Sequence, residues 1–170
     1  MHDTIHGSLK LEIVSLLKHA IDEKKSIKLK TVNDRIQKYA QFFGVNKPSI
    51  IEAGHIEQQN LRQSAAETLS LAQMLPFALL KDDDLASGIQ SVVSKENLHC
   101  YMLRLNLLNL QMAPEFSLQD IDDLRKLTKL HHELFLKCYP AAEIPKLHFE
   151  IHFGTQVLLF GPLRQHWCFR

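Results

Sequence analysis

The chain has 170 residues, 20 Lys+Arg against 19 Asp+Glu, and a formal net charge of +1. That is one domain's length, and 45% hydrophobic residues are enough to bury a core. The near-neutral balance argues against a generic polyanion binder, the composition against a disordered chain, and the lack of an apolar run of about 18 residues against a membrane span.

Gly and Pro supply only 12 residues and Leu alone 28, so the expected fold class is all-α. Leu9, Ile13, Leu16, Leu17 and Ala20 recur at helical spacing and predict a first helix over 8–24. A basic connector follows, Lys24-Lys25-Ser26-Ile27-Lys28-Leu29-Lys30. Thr31 and Asp34 then read as a capping box, opening a helix with Val32, Ile36, Tyr39, Ala40 and Phe43 on its inner face and Gly44 as its stop. Residues 44–56 read as a loop. A third helix is expected over 57–80, with Pro76 kinking or breaking its end.

Asp82-Asp83-Asp84 marks the start of a fourth helical stretch, which runs to about Met112 and is dense in leucine from Leu103 to Leu110; this helix is expected to be central and buried. Ser117 and Asp120 form a second capping box before a helix that turns Ile121, Leu124, Leu127, His131, Leu134, Phe135 and Cys138 inward. After Pro140 and Pro145, alternation of Leu147, Phe149, Ile151 and Phe153 leaves helix and strand both open for 146–153. The expectation is one domain over 1–170 with about five main helices, a helical body over 1–140 and a Pro/His/Trp tail over 141–170 packed on it, extended or in short helices.

Candidate chemistry is sparse. His148 and His152 are four apart and share a face, but zinc takes at least three protein ligands, and only His131, His132 or Cys138 are on hand as a third. Packing or hydrogen bonding explains these histidines more simply. His132-Glu133 begins like a His-Glu-x-x-His zinc helix, yet Leu136 holds the second His position. His99 and Cys100 are adjacent, so a helix points them apart and they cannot act as base and nucleophile. No glycine-rich phosphate loop or Gly-x-Ser-x-Gly elbow occurs. Lys24, Lys25, Lys28 and Lys30 are candidate phosphate contacts, though a solvated connector is the plainer reading. Three cysteines without a Cys-x-x-Cys pair read as reduced thiols in an intracellular protein, and the charged, histidine-bearing first 25 residues do not read as a signal peptide. Gly161-Pro162 before the only Trp, Trp167, reads as a sharp turn returning an aromatic anchor to the core.

Several short boxes, taken in order, resemble those of the C-terminal half of animal cut-and-paste DNA transposases and proteins derived from them. Met1-His2-Asp3 with Gly7 resembles the family's Met-His-Asp box, with His6 where the family has Glu. Asn46-Lys47-Pro48, Leu61-Arg62-Gln63-Ser64-Ala65-Ala66 and Met74-Leu75-Pro76 resemble the next three. Pro145-Lys146-Leu147-His148-Phe149 through His152, Phe160-Gly161-Pro162-Leu163 and Trp167-Cys168-Phe169-Arg170 resemble its closing signature.

The resemblance implies a parent enzyme with a ribonuclease-H-like core, whose Asp-Asp-Glu carboxylates hold two Mg2+ or Mn2+ ions. It also implies that this chain corresponds mostly to the helical insertion between the second Asp and the Glu. The first Asp would lie upstream of residue 1, and the expected Phe-Glu would follow Arg170. Asp3 is the one position that matches a family carboxylate, either a catalytic one or its neighbour. The leading expectation is therefore a catalytically inactive transposase-derived fragment with no cofactor of its own, which keeps DNA or protein contacts. It implies no membrane and no small-molecule substrate, and the nucleus follows from the resemblance. The alternative is a helical protein-interaction module that docks through apolar faces near 103–110 or 147–169. A metal-dependent enzyme built on His148 and His152 ranks last.

Overall fold

The computed structural model describes residues 4–80, 92–142 and 145–166, and among them every regular element is helical. The chain falls into two compact units, Leu9–Leu98, and His99–Arg170 together with Met1–Ser8.

In the first unit, α1 (Lys10–Lys18) continues into a π-helical turn, His19–Glu23. The predicted stripe is fully buried: Leu9, Ile13, Leu16, Leu17 and Ala20 have no exposed surface. α2 (Leu29–Phe43) starts earlier than the Thr31–Asp34 pair predicts. Lys28 is extended, its carbonyl already accepts from Val32 N–H at 3.2 Å, and neither Thr31 nor Asp34 caps the helix. The two polar residues therefore lie inside the helix. Gly44 does stop it, in a left-handed conformation at φ 63°.

The expected loop at 44–56 contains the start of a short helix, α3 (Ala53–Glu57), and the helix expected over 57–80 begins only at α4 (Ala65–Ala78). Gln59, at φ 50°, turns the chain between them. Ser64 and Glu67 then cap α4 reciprocally, with Ser64 N–H on Glu67 Oε2 at 2.8 Å and Glu67 N–H on Ser64 Oγ at 3.3 Å. α4 passes through Pro76 and ends two residues later. α1 packs on α3 and α2 on α4. Asn33 of α2 fixes the intervening loop by donating to Ile51 O at 2.8 Å and accepting from Ile51 N–H at 3.0 Å.

The second unit takes α5 (Lys95–Gln111) from His99 onward, α6 (Leu118–Cys138), α7 (Pro145–Glu150), α8 (Phe153–Phe160) and α9 (Leu163–His166). Asp82-Asp83-Asp84 lies outside the described residues; α5 is capped instead by Ser94, whose Oγ accepts from Asn97 N–H at 3.1 Å. As expected, α5 is well buried, with Tyr101, Arg104 and Leu107 fully enclosed. Ser117 caps α6 with Asp120 as predicted.

Residues 146–153 are helical and then turn; they form no strand. Leu147, Glu150, Phe153 and Val157 are buried while Phe149 and Ile151 are exposed, a helical period in place of alternation. Leu107 from α5, Ile121 and Leu124 from α6, Phe153 and Val157 from α8, and Leu163 from α9 form one apolar cluster, flanked by Phe116. Burial of such side chains contributes about 1.5–3 kcal/mol each and holds the short closing helices in place. Gly161 ends α8 at φ 81°, a region that favours glycine, and Pro162 turns the chain so that Leu163 reaches that cluster.

Candidate functional site

The motif boxes of the first unit meet in space. Lys10 Nζ donates to Leu61 O at 2.9 Å and to Gln63 O at 2.5 Å. Partial burial lowers the Lys10 pKa, opposed by the Glu67 charge. Buried Gln63 donates to Ser49 O at 3.2 Å, and Pro48 O accepts from Gln37 Nε2 at 2.8 Å. Glu67 accepts from Ser64 and from both the N–H and the Oγ of Ser49, each of those two at 2.8 Å, which pulls its pKa down to about 2. The segments 46–49 and 61–67 are thus tied into one loop cluster. Asn46, Lys47 and Arg62 point outward from it, and Ala65 opens α4.

The second unit holds a buried polar cluster. Arg104 of α5, fully enclosed, grips Glu150 of α7 with both arms of its guanidinium, at 2.6 and 2.9 Å. Ser8 is hydrogen-bonded to both partners. His132 Nε2 lies 3.8 Å from Glu150 Oε2, within charge contact but beyond hydrogen-bond reach. Burial by itself would raise the Glu150 pKa; the Arg104 charge and the hydrogen bonds overcome it and hold the carboxyl well below its usual range. The planar fork matches the carboxylate, so the pair is satisfied in both geometry and charge. His131 is also buried and packs against the Phe135 ring at 5.9 Å between centroids.

The other predicted residues are dispersed. His148 and His152 are both exposed and meet edge to face, with centroids 5.3 Å apart, and among the described residues no third ligand atom joins them. Lys24, Lys25, Lys28 and Lys30 all face solvent. His99 is exposed while Cys100 is buried, so they face apart. Cys100 and Cys138 form no disulfide. Gly7 lies in a π-helical turn, Thr4–Leu9. Of Pro145 and Lys146 only the backbone is described, at the head of α7. Met1, His2, Asp3, Trp167 and Arg170 lie outside the described residues. Near 103–110, Leu103, Leu107 and Leu108 are buried, while Leu105 and Leu110 are partly exposed.

Among the described residues of the second unit, the buried carboxylate does not fit the divalent ions that the motif resemblance implies. Glu150 is the buried carboxylate among the described residues of the second unit, and both of its oxygens are engaged by Arg104. A guanidinium at that distance neutralises the charge that a metal ion would need. Ser8, Arg104 and Glu150 carry no motif of their own. Their only sequence signal is a charge set within an apolar run, as in Leu103-Arg104-Leu105 and Phe149-Glu150-Ile151. The chain matches no protein-family model, no curated protein and no solved structure.

Proposed function

We propose that this chain is a catalytically inactive helical module of transposase-like descent that works by binding a protein partner. The order of the motif boxes supports the descent. The observation that carries the binding reading is the outer side of α7 and α8. Phe149, Leu158, Leu159 and Phe160 stand in solvent, with Leu159 at 69% and Phe160 at 63% exposure, opposite an inner side that is packed. Large apolar side chains grouped in this way mark interaction surfaces.

Nucleic-acid binding is the second reading, and the four solvent-facing lysines between 24 and 30 favour it. Strand cleavage tests the first element of the proposal. Duplex DNA incubated with the protein and Mg2+ or Mn2+ is expected to stay intact, and metal-dependent nicking that follows the protein through purification would end the inactive reading.

A further inference from the structure

A cleft of about 550 Å³ opens beside α6 and is lined by Arg125, Lys129, His132, Glu133, Leu136 and Ile151, with Thr128 at its base. Its volume lies in the range of small-ligand sites. The lining is divided chemically. Arg125, Lys129 and His132 rise from successive turns of α6, while Leu136 and Ile151, roughly half exposed, leave apolar surface open to solvent.

Two observations point to an anion. First, Arg125 is set in place by backbone: a Cβ on Gly154 of α8 would fall 2.7 Å from Arg125 Cγ and 2.9 Å from Nε, so the arginine stem lies where only glycine leaves room. Second, that guanidinium has no carboxylate partner among the described residues, although Lys126 and Lys129 on the same helix pair with Asp122 and Glu133 at 2.5 and 4.0 Å. His132 adds its ring to the wall, with its enclosed Nε2 turned inward, 3.8 Å from Glu150 Oε2. The single opposing charge, Glu133, is held by Lys129.

We propose that this cleft binds a small amphipathic anion, with an anionic head on Arg125 and an apolar chain along Leu136 and Ile151. A planar carboxylate suits the guanidinium fork best, so a medium-chain carboxylate is the expected class. This does not depend on the protein-docking reading, which uses other residues of α7 and α8.

Calorimetric titration of the full chain with decanoate, decanol and inorganic phosphate tests it. Decanoate is expected to bind saturably, at least tenfold more tightly than either decanol, which lacks the charge, or phosphate, which lacks the chain. Arg125→Gln, at an exposed position that leaves the fold intact, is expected to weaken decanoate at least tenfold. Gly154→Ala, which displaces the arginine stem, is expected to weaken it in the same direction. Absence of decanoate binding, equal affinity for decanol or phosphate, or decanoate affinity unchanged in Arg125→Gln would each overturn the proposal.

Discussion

In the Leu9–Leu98 unit, the polar contacts that fix the loops run largely through backbone groups, from the buried Asn33–Ile51 pair to the exposed Glu67 cap. Lys10 holds two carbonyls, Asn33 brackets Ile51, and Glu67 gathers Ser49 and Ser64. In the His99–Arg170 unit the corresponding contact is an ion pair with almost no exposed surface, reinforced by Ser8. Each unit thus has a carboxyl with a lowered pKa, for different reasons. Glu67 remains hydrated and accepts hydrogen bonds from cap donors, whereas Glu150 has lost its water and depends on one arginine. The surface arrangement can be lost one bond at a time. The buried one fails as a unit, because removal of either partner strands a charge.

The largest expected effect follows from that contrast. Arg104→Met or Glu150→Ala alone should lower stability by about 3–5 kcal/mol in urea unfolding, since each leaves an uncompensated buried charge. The double variant Arg104→Met/Glu150→Leu should recover most of the loss; if it unfolds as readily as the singles, the pair is not the cause. Truncation of the apolar cluster comes next: Leu107→Ala should cost about 2–5 kcal/mol, while Leu159→Ser on the exposed side of α8 should stay within about 0.5 kcal/mol. Equal losses at the two positions would mean that Leu159 is not at the surface.

Smaller again, Ser64→Ala and Ser117→Ala should each cost about 1 kcal/mol through the loss of a helix cap. The smallest effect is a pH dependence. Because the folded Glu67 titrates at about 2 and its ordinary value is 4.5, its contribution is fully present above about 4.5 and is lost as pH falls towards 2. An NMR titration of the Glu67 carboxyl should therefore show a midpoint well below 4.5 in the intact protein and a return towards 4.5 in Ser64→Ala/Ser49→Ala. A midpoint already at 4.5 in the unaltered chain would remove the cap network from the account.

Local signals in the chain were sufficient for the helical class, the α1 stripe, the burial of α5 and the Ser117 cap, because each depends on residues within one or two turns. Ser64 and Glu67 carried the same kind of signal and mark the true start of α4; the apolar pattern from Leu61 onward obscured it. Thr31 and Asp34 matched the capping pattern, yet α2 starts two residues before Thr31 and encloses both. The tail was ambiguous because four alternating apolar residues fit a strand as well as a helix, and only packing of Phe153 and Val157 on α6 separates the two. The Arg104–Glu150 pair could not be read at all beyond its two isolated charges. Its members are 46 residues apart, and Ser8 lies 96 residues before Arg104. Leucine density over 103–110 likewise marks apolar surface but not which side of it is covered; Leu103, Leu107 and Leu108 are the buried ones.

The central claim, that the module binds protein and not DNA, is tested most directly by a titration of duplex DNA at several salt concentrations. The account predicts no saturable affinity near physiological salt, with Lys24, Lys25, Lys28 and Lys30 acting as a solvated connector. Tight binding that falls steeply with added salt, and that is lost when these four lysines are replaced by glutamine, would contradict it.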